Sequence, residues 1–212
     1  MPRDVPDISV ETLLMAYASG VFPMADSRDD AEVYWVDPKM RGILPLDGFH
    51  VARSLARTIR QERFDVTLDD DFEGVVSGCA ARDKTWINHT IVGLYRQLHR
   101  LRLAHSVEVW EDGALVGGVY GVTMGRAFFG ESMFSRTRDA SKVALAYAVA
   151  LLRARGYALF DTQFLTEHLA SLGTVEIPRA AYHARLRRAL DGTAHLAGPM
   201  PTAQEVLALH RR

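Results

Sequence analysis

Ser106-Val107-Glu108-Val109-Trp110, with Asp112-Gly113 behind it and Ala114 to Thr123 beyond, is the stretch that decides the fold. Apolar and polar residues alternate through 106–110, the period of a β-strand. Asp112-Gly113 is a strong signal for a two-residue hairpin turn, whose central positions need positive φ. The chain returns through 114–123, and Gly125-Arg126 turns it again into Ala127-Phe128-Phe129-Gly130-Glu131. A three-stranded antiparallel meander follows. Gly117-Gly118 and Gly121 lie inside its middle strand, where missing side chains permit a bulge or a close backbone approach.

Working outward, helical periodicity flanks the meander on both sides. Upstream, 88–102 puts Ile91, Leu94, Tyr95 and Leu98 on one face, 72–79 reads as a shorter helix, and 64–68 alternates as a strand. Val51, Leu55, Thr58 and Ile59 are spaced as a further helix. Downstream, Asp139 or Ser141 caps a helix running to about Arg155 and closed by Gly156. Tyr157-Ala158-Leu159-Phe160 reads as a buried strand ending in Asp161-Thr162-Gln163, and 179–190 as a basic helix. This order predicts an α+β (mixed α/β) fold built on a largely antiparallel sheet. Before it, 9–19 reads as a short helix with Ser9 as N-cap and Gly20 as its stop, followed by an acidic loop over 26–30 and a strand over 33–36. That segment is too small to hold a core alone. The predicted division is a small N-terminal α/β domain over 1–49 docked on a larger domain over 50–212.

With 212 residues, 48% of them apolar and 24% charged, the chain can bury a core without covalent staples. A single cysteine, Cys79, rules out an internal disulfide and reads as a small buried hydrophobe. The longest apolar run, 143–152, is about half of what a membrane span requires. Met1-Pro2-Arg3-Asp4 is unlike a secretory signal, so a cytoplasmic location is expected. A net charge of −1 excludes uniform positive coating of long nucleic acid. It leaves room for local patches, and arginines 53, 57, 60 and 63, then 96, 100 and 102, then 185, 187 and 188 form three. Neither the eight histidines nor the cysteine shows metal-ligand spacing, so no metal is expected.

Gly130-Glu131-Ser132-Met133-Phe134-Ser135-Arg136 resembles the hallmark of the leucyl/phenylalanyl-tRNA–protein transferases. So do Gly20-Val21-Phe22-Pro23-Met24, Tyr34-Trp35-Val36-Asp37-Pro38, Thr85-Trp86-Ile87 and Phe160-Asp161-Thr162-Gln163 with His168-Leu169-Ala170-Ser171-Leu172-Gly173. Single matches of this kind are weak, whereas their order along most of the chain is specific. The resemblance implies a C-terminal domain with the GNAT acetyltransferase-like fold. It also implies transfer of leucine or phenylalanine, with methionine as a further donor, from aminoacyl-tRNA to proteins beginning with Lys or Arg. That step marks proteins for N-end-rule degradation and uses no cofactor.

The candidate catalytic pair is Asp161 and Gln163. At i and i+2 on a strand, both side chains share a face. A carboxylate can take the proton of an incoming amine, and an amide can hold the amine. The resemblance implies that Gln163 contacts the amine and Asp161 polarises it. The competing reading makes Asp161 a strand cap and Gln163 a packing residue. Glu131 is a candidate for binding either the basic acceptor side chain or the amino group of the aminoacyl ester, against a structural ion pair with Arg136. Its neighbours Ser132, Met133 and Phe134 belong to the same binding motif. Val119 and Leu145, with Met133 and Phe134, are candidates for the pocket of the transferred side chain. Trp35, Trp86 and Tyr95 are candidates for stacking the terminal adenosine. Some relatives carry aromatics where this chain has Met24-Ala25, so a stacking contact from that loop is not expected.

Two rival functions remain from the sequence: an acetyl-CoA-dependent GNAT enzyme and a non-catalytic module binding tRNA or peptide. Against the first, Arg136-Thr137-Arg138-Asp139-Ala140-Ser141 lacks the glycines that usually cradle a pyrophosphate at a helix start. With neither a heptad pattern nor a long apolar edge, a monomer is the expected state.

Overall fold

The computed structural model describes residues 8–208 apart from 31, 83 and 84. The first residues, Met1 to Asp4, on which the reading of the N-terminus rests, lie outside the described residues. Helix α1 (Val10–Ala18) starts at Ser9, whose Oγ accepts from the Thr12 amide, and stops before Gly20 at φ +86°. Strands β1 (Phe22–Met24) and β2 (Tyr34–Val36) pair antiparallel as a small ribbon. Strand β3 (Met40–Ile43), helix α2 (Arg53–Arg60), strand β4 (Asp65–Leu68) and helices α3 (Phe72–Ala80) and α4 (His89–Arg100) follow. Asn88 caps α4 through its side chain, as Asp71 caps α3.

The meander is present as β5 (Ala104–Glu111), β6 (Ala114–Met124) and β7 (Ala127–Ser135). Asp112 and Gly113 sit at φ +51° and +76°, the conformation the hairpin signal demanded. Helix α5 (Ala140–Ala154), strand β8 (Leu159–Gln163), the short α6 (Glu167–Ala170), strand β9 (Val175–Pro178), α7 (Arg179–Leu190) and α8 (Ala203–Ala208) complete the chain. Asp139 is the N-cap of α5 but adopts φ +67° and gives no side-chain cap; Ser135 Oγ instead accepts the Ser141 amide at 3.2 Å.

Seven strands form one mixed sheet in the order β4-β5-β6-β7-β8-β3-β9, antiparallel except for the parallel pair β7–β8. Residues of α2, α5 and α8 build one core and residues of α1, α3, α4 and α7 the other. The mixed α/β class expected from sequence is observed. The boundary expected after residue 49 does not coincide with the sheet: β3 lies inside the 1–49 segment yet is inserted between β8 and β9.

Two irregularities prepare the site. β7 and β8 are in register over only three pairs, ending at Phe129–Asp161, although β7 runs on to Ser135. In the β6–β7 ladder Tyr120 faces Ser132 and Gly121 faces Gly130, which leaves Glu131 as the extra residue of a bulge. Bulges re-aim side chains and often stand beside active sites.

Candidate active site

Where β7 and β8 part, a cleft of about 400 Å³ opens. Gly130, Glu131, Ser132 and Met133 come from β7, Phe160, Thr162 and Gln163 from β8, and Phe22, Pro23 and Met24 from the N-terminal ribbon. Val119, Met133, Leu145, Phe160 and Leu169 contribute apolar lining. The expected pocket residues Val119, Met133 and Leu145 are therefore brought together, and Ser132 and Trp86 also line the cleft.

Glu131 is 8% exposed and lies on the cleft wall. The Tyr17 hydroxyl donates to its Oε1 at 2.6 Å and the Tyr95 hydroxyl to its Oε2 at 2.7 Å, while the two phenol oxygens stand 2.8 Å apart. Three close oxygen–oxygen contacts need three protons, and two tyrosines supply two. In its acid form the carboxyl supplies the third, one tyrosine then accepting from it and donating to the other phenol. Burial pushes the Glu131 carboxyl up to about 7, against the hydrogen bonds from Tyr17 and Tyr95 that hold it down. The ion pair with Arg136 does not form: that guanidinium sits over the Phe134 ring at 5.3 Å and donates to the Leu115 carbonyl.

Asp161 corrects the expectation drawn from strand alternation. It is 0% exposed and does not line the cleft. Its Oδ1 accepts from Arg41 Nε and from the Gln163 amide, both at 2.9 Å. Its Oδ2 accepts from the same guanidinium at 2.6 Å and from the Tyr182 hydroxyl at 2.7 Å. Both oxygens are thus engaged by donors of the protein itself, and neither belongs to the lining of the cleft. The i, i+2 rule fails for a local reason. Gly42 faces Gln163 and Ile43 faces Asp161, so Thr162 is the extra residue of a second bulge. Gln163 then takes φ +56° at the centre of a tight turn in which the Phe164 amide donates to the Thr162 carbonyl at 2.6 Å. A left-handed γ-turn on a non-glycine residue is rare and strained. The turn leaves the Gln163 carboxamide on the cleft wall, its nitrogen donating to Gly130 O at 2.8 Å and Thr162 O at 3.2 Å in the orientation that satisfies both ends.

Two further expectations are corrected. Tyr95 is fully buried and engaged with Glu131, so it cannot stack on a base. Phe134 is 7% exposed and does not line the cleft; its ring packs against Gly78, where a Cβ would come within 2.8 Å of it. Trp35 is 39% exposed on β2, beside rather than in the cleft, opposite the cleft-lining Pro23. Cys79 is buried, and burial pushes its thiol up to about 12, which suits the packing role read from sequence.

Sequence reasoning missed Tyr17, Arg41 and Tyr182. The available signal for Arg41 was a charge in the middle of the strand-like Met40-Arg41-Gly42-Ile43. Among the described residues no group of three or more acidic, histidine or cysteine side chains could hold a metal ion.

Comparison with known proteins decides the family. The profile described as leucyl/phenylalanyl-tRNA protein transferase matches residues 43–187, and the profile of that family's N-terminal domain matches residues 6–39. The chain belongs to the leucyl/phenylalanyl-tRNA–protein transferase family. A leucyl/phenylalanyl-tRNA–protein transferase of Cereibacter sphaeroides is 65% identical over 92% of this chain and 91% of that protein. One from a Ruegeria species is 60% identical over 97% of each. Among solved structures, the crystal structure of FemX aligns with a TM-score of 0.52 at 14% identity, covering 81% of this chain and 68% of that one, a likeness of fold. The fold shared with FemX is of the mixed α/β class expected from the sequence. The N-terminal family profile stops where β3 joins the large sheet.

Proposed function

We propose that this transferase moves leucine or phenylalanine from the 3′ end of a charged tRNA onto the α-amine of a protein that begins with Lys or Arg. The observation that carries the reading is that a buried carboxyl, Glu131, and the carboxamide of Gln163, a residue on a strained turn, line one largely apolar cleft. The apolar lining suits a leucine or phenylalanine side chain, and a flexible methionine in it tolerates both shapes. Trp86 offers an aromatic face for the adenosine.

The acceptor arrives as an ammonium, and ionised Glu131 takes one of its protons. An N-terminal amine of ordinary pKa, about 8, is close enough to the Glu131 value for that transfer to be nearly level. The Gln163 amide oxygen holds the neutral amine by a remaining N–H. Its nitrogen attacks the ester carbonyl, the C–N bond forms, and the C–O bond to the ribose breaks. The departing 3′-oxygen takes the second amine proton. Asp161 does not exchange protons in this scheme.

An acetyl-CoA reading fares worse. At the start of α5, where a pyrophosphate would need free amides, Ala140 N donates to Thr137 O and Ser141 N to Ser135 Oγ. The reaction proposed implies work in the cytoplasm, where charged tRNA is found, and supplies proteins with the N-terminal leucine or phenylalanine of the N-end rule. Radiolabelled leucine on tRNA, incubated with an Arg-starting acceptor, tests it. Label at the acceptor's N-terminus is expected. Label absent while tRNA stays bound would point to a binding module, and acetylation from acetyl-CoA to the rival enzyme.

A further inference from the structure

Arg41 is a fully buried guanidinium to which that scheme gives no role. It comes from β3, the strand that the N-terminal segment lends to the large sheet, and it reaches four other parts of the chain. Its Nε and one terminal nitrogen form a fork on Asp161 at 2.9 and 2.6 Å. The other terminal nitrogen donates to the Gly20 carbonyl behind α1 at 2.9 Å. The Tyr182 hydroxyl of α7 lies 3.2 Å away, and the guanidinium plane is held between the Phe22 and Tyr182 rings, with its carbon 4.5 and 4.3 Å from their centroids.

We infer that Arg41 is a positioning residue for the transfer, acting through Asp161 on the backbone of Gln163. The inference rests on the proposed role of Gln163. A non-glycine residue stays in a left-handed turn only when its surroundings over-determine it. Here the restraint is the Gln163 amide, which donates to Asp161 Oδ1. That oxygen can hold the turn only if the carboxylate is itself immobile, and Arg41 with Tyr182 immobilises it from two directions. A buried ion pair is generally no better for stability than apolar packing of the same volume. What the pair supplies is a fixed direction. The planar guanidinium fork matches a carboxylate bidentately, which an ammonium cannot do.

The test is a double-mutant cycle in transfer kinetics, with Arg41→Lys, Gln163→Ala and the two combined, and an aminoacyl-adenosine as donor beside full aminoacyl-tRNA. Arg41→Lys keeps the charge and removes the fork. It is expected to lower kcat roughly 10- to 100-fold, the scale of a displaced catalytic group, with donor KM within about threefold. The pH at half-maximal rate should stay where it is, because the substitution keeps the positive charge that Glu131 feels from this position. On the Gln163→Ala background Arg41→Lys should cost nothing further. Losses that multiply, a loss confined to KM, or a displaced pH midpoint would each overturn the inference. Should Arg41→Lys fail to fold, Tyr182→Phe takes its place in the cycle, since it frees one side of Asp161 Oδ2 and keeps the ring over Arg41. An inactive parent protein would instead refute the proposed function, and it shows before any variant is compared.

Discussion

Replacing Glu131 by Gln removes a carboxyl whose proton burial holds up toward neutral pH, while keeping its shape. In the folded protein the carboxyl stands at about 7, raised chiefly by burial from an ordinary 4.5. A raised acid means that the folded state binds more protons than the unfolded one between those two values, so stability falls as pH rises through the window and levels off above 7. Between pH 5 and pH 8.5 the loss comes to about 2.5 kcal/mol for a displacement of this size. Glu131→Gln has no such proton to lose. Its amide can still accept from one tyrosine and donate to the other hydroxyl. The variant should therefore match the parent near pH 5 and exceed it at pH 8.5 by about 2.5 kcal/mol, relative to their difference at pH 5. Urea unfolding of both proteins at several pH values reads this directly. Transfer should move the other way: the parent's kcat rises through pH 7 as Glu131 ionises, whereas the variant is slow at every pH and keeps only the rise belonging to the acceptor amine. Parallel stability curves for the two proteins would refute the reasoning, because they would mean that Glu131 titrates alike folded and unfolded.

Tyr95→Phe deletes a hydrogen bond that lowers the Glu131 value, so the pH midpoint of transfer should climb by about one unit, measured on the pH–rate profile. Gly42→Ala puts a Cβ 2.6 Å from the Phe164 carbonyl carbon and 2.8 Å from Thr162 Oγ1. A stability loss of about 1–3 kcal/mol in urea is expected, with kcat falling because the strained turn beside it must move. Trp86→Ala should raise donor KM roughly 5- to 150-fold, the equivalent of about 1–3 kcal/mol of stacking, while leaving the melting temperature within a few degrees. Met133→Ala should weaken leucine transfer by about 1–3 kcal/mol in kcat/KM, read from competition between leucyl and phenylalanyl donors.

What the chain discloses before folding is whatever a few neighbouring residues decide among themselves. Ser9 caps its helix where local spacing says it should, because a cap needs only an amide three residues on. Asp112-Gly113 forms its hairpin for the same reason. The misses are long-range or marginal. β9 is a four-residue, mostly exposed edge strand, and α6 and α8 are four and six residues long, too short for periodicity to register. Tyr95 shows how two readings of one residue compete: its helical spacing with Ile91, Leu94 and Leu98 marked it as core, while its ring suggested a base platform. Packing won, and the hydroxyl found Glu131. The cleft itself was legible in its members Glu131, Met133, Leu145 and Gln163, but not in its geometry. Both bulges depend on which residue of a distant strand lies opposite, and no window along the chain contains that information.

The two carboxylates of the site illustrate why residue type alone does not assign a proton. Asp161 and Glu131 are both almost fully enclosed, and both belong to motifs that read as chemical. Asp161 has a permanent cation in a fork beside it and four donors on its two oxygens. Glu131 has two phenols, no adjacent cation among its hydrogen-bond partners, and an open cleft in front of it. The first arrangement fixes a backbone; the second keeps a proton in play near neutrality. Both depend on the N-terminal segment, since Tyr17 reaches Glu131 from α1 and Gly20 receives Arg41 just beyond that helix. The segment that looked in sequence like a small docked domain is therefore part of the electrostatic environment of the reaction. A substitution at Tyr17 should register on the pH–rate profile before it registers on the melting temperature.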